Sequence, residues 1–254
     1  MAQRESVADL RHRLATVDFD GLAPLVAELE SDGRATARAL AVTARRRLAR
    51  EGAERERVRA MYALARELGG EGVLLGVDEV GRGSVAGPLT VAAVALPDEP
   101  VVWGIDDSKR LSPATRERLA ARIREVAVAV GIGHVAPKEI DERGMAASLR
   151  TAMRRAIEDA GVEPARVLID GLPVHVHPRE VTLAHGDARV ACIAAASIVA
   201  KATRDAIMVR ADRTWPGYGF AASKGYASPE HIAAIRARGL TPYHRASFCG
   251  NFLA

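Results

Sequence analysis

Lysine is nearly missing from this basic chain. Of 36 basic residues in 254, only Lys109, Lys138, Lys201 and Lys224 are lysine. A lysine kept against that bias suits a place needing a compact ammonium, as beside a phosphate or carboxylate. Chance accounts for any one of them alone, but Lys109, Lys201 and Lys224 all fall in motif-like stretches. Cysteine is as scarce: Cys192 and Cys249 have neither zinc-ligand spacing nor a disulfide framework. No apolar run is long enough to span a bilayer, and the polar opening MAQRESVADLRH is no signal peptide. A cytoplasmic location without a membrane partner is therefore expected. A content of 48% hydrophobic and 27% charged residues excludes a disordered chain and leaves room for one sizeable core, or a domain with a small appendage. The net charge of +4 permits an anionic partner without identifying one.

What is present falls into two parts, 1–71 and 72–254. The first reads as helices. SVADLRHRL opens with a cap at Ser6 and an acid three residues on, and GLAPLVAELESDG is a second helix ending at Gly33. Nine arginines face three glutamates between Arg34 and Arg59, a pattern that fits a phosphate-gripping appendage and a solvated charged helix equally well. From Gly72 the pattern alternates, as in an α/β domain. VLLGVD, LTVAAVAL, VGIGHVAP, RVLID and VTLA read as strands. LSPATRERLAARIREVAVAVG reads as a helix capped by Ser112 and stopped by Gly131, MAASLRTAMRRAIEDAG as another, and CIAAASIVAKATRDAIMVRADR as a long one with an alanine-rich packing face. The tail is loop, helix, loop. There is no internal repeat and no low-complexity linker.

The acids stand out by position. Asp78 and Glu79 end one predicted strand, Asp170 ends another, and Asp187 follows a third across a glycine. Functional side chains gather at strand ends in α/β sheets. Any one of these acids alone is accounted for as a turn or helix cap. Four together favour shared cations, since converging carboxylates repel, and magnesium takes hard oxygen ligands. Adjacent strand residues point to opposite faces, so Asp78 and Glu79 reach one cluster only if the strand bends, or if one acts through its carbonyl or a water. The turn GRGSVAGP lacks the G-K-S/T ending of a phosphate loop. Gly81 and Gly83 permit close backbone contact with a ligand such as a ribose 2′-hydroxyl, though on these residues alone a tight strand connection is the simpler account.

Taken together, GVDEVGRGSVAGP, DDSKRLSP, VLIDG, HGDARVACIAAASIVAKATRD, SKGYASPEH and HRASF resemble, in order and spacing, the motifs of bacterial ribonuclease HII over essentially all of residues 72 to 249. The N-terminal helices resemble the extension of that family's longer members. The resemblance implies an RNase H-like fold: a mixed central sheet flanked by helices, a C-terminal helical segment, and a small all-α N-terminal domain that is a candidate for binding substrate. It implies a monomeric, metal-dependent endonuclease that cuts the RNA strand of RNA–DNA hybrids and nicks duplex DNA 5′ of embedded ribonucleotides, in replication and repair. Two divalent ions, Mg2+ or Mn2+, would be held by Asp78, Glu79, Asp170 and Asp187. Gly81, Arg82 and Gly83 would read the 2′-hydroxyl and adjoining phosphate, Tyr226 would stack on the neighbouring deoxyribose, and Ser108 and Lys109 would contact phosphate. Lys201 and Lys224 fall inside family motifs as further substrate contacts. The chain departs at His185, where many members carry lysine. Asp205, on one helix face with Ser197 and Lys201, reads as an ion-pairing structural residue. His175 and His177 alternate as on a surface strand, while His231 and His244 receive no role. A hybrid-binding protein without catalysis would use the same groove without needing every acid, and a resolvase-type nuclease would have no reason for GRG and KGY together.

Overall fold

The computed structural model describes residues 5–253. The chain divides into two compact units, up to Arg59 and from Ala60. In the first, α1 (Val7–Thr16), α2 (Phe19–Ser31) and the start of α3 (Ala35–Gly69) enclose a core that includes Leu10, Leu14, Leu22, Leu25, Leu29 and Ala41. The Ser6 hydroxyl accepts from Asp9 N–H and the Asp9 carboxylate accepts from Ser6 N–H, the reciprocal cap that the sequence predicts. Most of the arginines between residues 34 and 59 have partners inside the unit. Arg34 pairs with Asp32 at 2.6 Å, Arg47 with Glu51 at 2.7 Å, and Arg57 with Glu54 at 2.6 Å. Arg46 and Arg50 are exposed.

The second unit carries β1 (Leu74–Val80), β2 (Leu89–Ala95), α4 (Pro113–Val126), β3 (Ala129–Val135), α5 (Pro137–Asp159), β4 (Arg166–Asp170), β5 (Glu180–Leu183), α6 (Ala191–Thr214), α7 (Phe220–Ser223), α8 (Pro229–Arg238) and α9 (Ala246–Cys249). The strands form one mixed sheet in the order β3-β2-β1-β4-β5. β1 is antiparallel to β2 and parallel to β4, β2 is antiparallel to β3, and β4 is parallel to β5. Leu75 and Val77 of β1 point into a core shared with Leu149, Ala152, Met153 and Ala156 of α5. The alternate β1 residues face α6, whose first ten residues are all buried.

Two expectations fail here. Gly131 does not stop a helix. α4 ends at Val126, and Gly131 lies inside β3 with Gly133, where an added Cβ would collide with the main-chain carbonyls of Ala156 and Ala152. Both glycines let α5 lie directly on the strand. The segment around His175 and His177 is a loop rather than a strand. Val174, His175 and Val176 donate their N–H groups to the Glu180 carboxylate at 2.8 to 3.1 Å, which supplies the partners that a sheet neighbour would otherwise give.

Candidate active site

β1 and β4 run parallel, with Val77 paired to Ile169, so the next residues, Asp78 and Asp170, lie side by side at the ends of the two central strands. Asp78 is on the face toward α6, where burial opposes the charge of its carboxylate and the nearby Ser197 hydroxyl favours it. Asp78 Oδ1 accepts from Glu79 N–H at 2.7 Å. Asp170 Oδ1 accepts from Gly186 N–H at 2.7 Å, which ties the turn carrying Asp187 to the end of β4. The β1–β2 ladder runs unbroken through Asp78↔Ala92 and Glu79↔Val91 to Val80↔Thr90. The strand does not bend between the two acids, and Glu79 starts from the opposite face, 3.7 Å from Arg82.

Electrostatically the acids act as one group. Burial, then repulsion from Glu79 and Asp170, pushes the Asp78 carboxyl well above the usual range. Burial also raises Glu79 against the pull of Arg82. Asp187 is raised by burial and by its neighbours Asp170 and Asp107. Burial works against the charge of Lys109, but Asp107, Asp187, Asp78 and Asp170 outweigh it and raise its pKa. The ammonium stands 3.8 Å from both Asp107 and Asp187. Neither Asp78 nor Asp170 has a lysine or arginine at ion-pair distance among the described residues. Nor, among those residues, do three such side chains close around a point to make a ready cage.

The glycine-rich turn is held from behind by two buried arginines. Arg204 donates to Pro88 O at 2.9 Å, Ala86 O at 3.0 Å, Ser84 Oγ at 2.7 Å and Lys224 O at 2.8 Å. Arg245 donates to Gly87 O at 2.9 Å and Arg82 O at 3.2 Å. Val85 and Ala86 N–H both donate to Gly225 O, so the turn and the KGY segment form one frame. Gly81 has φ +87°, and an added Cβ would strike the Arg204 side chain. Gly83 has open space where a Cβ would stand, so the fold itself does not demand glycine there.

The remaining sequence-predicted residues divide. Lys109 and Tyr226 are accessible beside the acids and the turn respectively, and the Tyr226 ring lies 5.6 Å from the Arg204 guanidinium. Ser108 faces inward, its hydroxyl 2.9 Å from that of Ser197. Lys201 is committed to Asp205 at 2.7 Å, and Arg116 approaches the other oxygen of that carboxylate at 3.3 Å, which makes Asp205 the ion-pairing residue expected. Lys224 folds back onto Ala221 O at 2.6 Å. In this structure these three side chains bond within the protein: Lys201 and Lys224 find acceptors within one helical turn of themselves, and Ser108 finds its partner on α6. Sequence reasoning passed over Arg204, Arg245 and Asp107. An acid one residue before the SK pair was the available signal for Asp107, whereas nothing local marks an arginine whose partners lie more than a hundred residues away.

Carboxylates near the ends of the neighbouring strands β1 and β4, in a sheet of this order and beside a turn exposed at Arg82 and Gly83, define a nuclease of the RNase H-like class. The family profile of ribonuclease HII matches residues 75–251, and that of the ribonuclease HII N-terminal domain matches residues 6–69. The chain is 43% identical over 248 residues to ribonuclease HII of Geobacillus kaustophilus, covering 97% of this chain and 95% of the relative. It is 48% identical to that of Moorella thermoacetica, over 77% of this chain and 96% of the relative. The RNase HII solved in complex with PCNA from Archaeoglobus fulgidus superposes with a TM-score of 0.60 at 28% identity, over 68% of this chain and 94% of that one. The chain belongs to the ribonuclease HII family, and it is a ribonuclease H, a hydrolase.

Proposed function

We propose that the enzyme hydrolyses the RNA strand of RNA–DNA hybrids and nicks duplex DNA 5′ of an embedded ribonucleotide, leaving 3′-hydroxyl and 5′-phosphate ends for repair. The observation that carries this reading is the pair Asp78 and Asp170, side by side at strand ends beside the glycine-rich turn, with no lysine or arginine at ion-pair distance among the described residues. An all-oxygen donor set in which burial and mutual repulsion oppose the charge of Asp78 fits a hard divalent cation such as Mg2+ or Mn2+. Asp78, Glu79, Asp170 and Asp187 would hold two such ions, which when bound activate water and neutralise charge at the scissile phosphate.

The chain's own groups do the rest. Lys109 presents its ammonium to the phosphate from beside Asp187. Arg204 and Arg245 draw the carbonyls of the turn inward, leaving the main chain of Gly81, Arg82 and Gly83 to meet the ribose 2′-hydroxyl. The room at Gly83 is room for a sugar rather than for the fold. The exposed Tyr226 ring stacks on the adjoining deoxyribose and so marks an RNA-to-DNA junction. Selectivity rests on the sugar, since main chain and phosphate contacts carry no base information. The N-terminal unit adds affinity for the duplex, and the enzyme works as a cytoplasmic monomer.

The test is a duplex carrying one ribonucleotide, offered with Mg2+ or Mn2+ to the parent enzyme, Asp170→Asn and Gly83→Ala. The parent should nick 5′ of the ribonucleotide. Asp170→Asn should bind without cutting, and Gly83→Ala should fold normally but bind poorly. Equal cutting of an all-DNA duplex by the parent would defeat the proposal.

A further inference from the structure

Behind Tyr226 lies a buried histidine pair for which the reaction has no evident use. His231 Nε2 is 3.1 Å from His244 Nε2, and both side chains are shielded from solvent. Their outer nitrogens end on different partners. His231 Nδ1 is 2.8 Å from the Tyr226 carbonyl oxygen, while His244 Nδ1 is 2.9 Å from both Thr241 N and Thr241 Oγ1.

These partners determine every proton in the chain. A carbonyl only accepts, so His231 Nδ1 carries a hydrogen. A backbone N–H only donates, so His244 Nδ1 carries none. A neutral His231 then offers a lone pair at Nε2, and a neutral His244 offers an N–H there, and the two meet. Hydrogen bonds therefore run in one direction, from Thr241 through His244 and His231 to Tyr226 O. A proton added to His231 would set two N–H groups against each other across 3.1 Å. One added to His244 would oppose the Thr241 amide. Phe220 packs edge-on against His231 and tilted against His244, which closes the pair off from water.

The far end of the chain is the functional end. The Tyr226 carbonyl belongs to the segment whose neighbours, Lys224 and Gly225, accept hydrogen bonds from Arg204 and from the turn at Val85 and Ala86. That carbonyl also accepts from Ser228 N–H at 2.9 Å, so it is held on two sides, while Tyr226 as a residue stays 39% exposed. We propose that His231 and His244 form a neutral relay of fixed tautomers that positions Tyr226, so that the pair governs selectivity for the RNA-to-DNA junction. This rests on the reading of Tyr226 as the junction contact. The histidines are positioning residues and touch no substrate.

Two replacements of His231 separate positioning from filling space. Asparagine places an N–H where Nδ1 stands and so keeps the bond to Tyr226 O. Glutamine is closer to histidine in size but reaches toward Nε2 and loses that bond. The readout is the ratio of kcat/KM for a single embedded ribonucleotide to that for a continuous hybrid. His231→Gln should lower the ratio about tenfold, the worth of one well-made hydrogen bond, while His231→Asn stays near the parent. Tyr226→Ala should lower it at least as far, and adding His231→Gln to Tyr226→Ala should lower it no further. If Tyr226→Ala leaves the ratio unchanged, the junction reading fails and the relay's proposed purpose fails with it. If Tyr226→Ala lowers it but neither His231 variant does, the relay alone is overturned. A larger loss for asparagine than for glutamine would show a packing role and overturn it too. Imidazole 15N spectra of the unmodified enzyme at neutral pH should show His231 protonated at Nδ1 and His244 at Nε2, both uncharged. Any other assignment refutes the relay without requiring a variant to fold.

Discussion

Arg204 Nη2 donates to Ser84 Oγ at 2.7 Å, joining the middle of α6 to the glycine-rich turn. The same guanidinium reaches Lys224 O, so one side chain spans both the glycine-rich turn and the KGY segment. Burial lowers the pKa of Arg204, and no carboxylate among the described residues lies at ion-pair distance from it. Five N–H donors in a planar fork satisfy four oxygens here, an arrangement that lysine cannot copy. Arg204→Lys should cost about 3 kcal/mol of stability, since buried acceptors left without donors cost roughly 1–3 kcal/mol each. Urea denaturation measures the loss, and KM should rise along with it as both segments loosen.

Asp78→Asn removes a buried charge that burial, Glu79 and Asp170 all oppose. In chelator the variant should melt at the same temperature as the parent or higher. Adding Mg2+ or Mn2+ should raise the melting temperature of the parent and leave the variant's nearly unmoved. Activity of the variant should fall by about a hundredfold or more. A variant destabilised in chelator would show instead that the Asp78 carboxylate holds the fold together.

The histidine relay makes stability depend on pH. Burial holds both imidazoles below their ordinary value of 6.5, His244 down to about 4 with His231 adding to the effect. Between those values the unfolded chain binds more protons than the folded one, so stability is complete above the window and declines as pH falls through it. Urea midpoints measured across the window should show this decline, and His244→Gln should flatten it.

Charge reversal on α3 tests the N-terminal unit. Arg46 and Arg50 are exposed, and the nearest acid to Arg50 is Glu51 at 4.0 Å. Arg46→Glu with Arg50→Glu should weaken duplex binding and flatten its salt dependence by about 0.9 in log–log slope for each phosphate that these arginines neutralise in the parent. An unchanged slope would assign them to solvent alone.

Most of the second unit was legible because its strands are short apolar runs bounded by glycine and proline, and its helix α4 opens on a serine cap followed by proline. The end of α4 was not. Ala127 to Val130 continues an apolar pattern that suits helix and strand alike, and Gly131 imitates a stop although its real task is to admit α5. The strand expected at His175 failed for a related reason: alternation signals a strand only if a neighbouring strand is present, and there the partner is one carboxylate. Their places at strand ends single out the acids in the sequence, and the strand pairing brings Asp78 and Asp170 side by side. The unbroken ladder through Asp78 and Glu79 could not be foreseen, since the glycines after them invited a bend. The link from His231 to His244 spans 13 residues and follows no period, so only coordinates bring it into view.

Gly76 sets the reach of the site in a way that its own chemistry does not suggest. An added Cβ at this position would run into the main chain of Cys192 and Ile193 on α6. Two residues further along the same face stands Asp78, and one turn further along α6 stands Ser197, whose hydroxyl steadies that carboxylate. A single hydrogen thus serves as the gauge between strand and helix. Alanine at position 76 would wedge them apart and shift the serine relative to the acid, so a position without a side chain limits how the end of the strand can evolve.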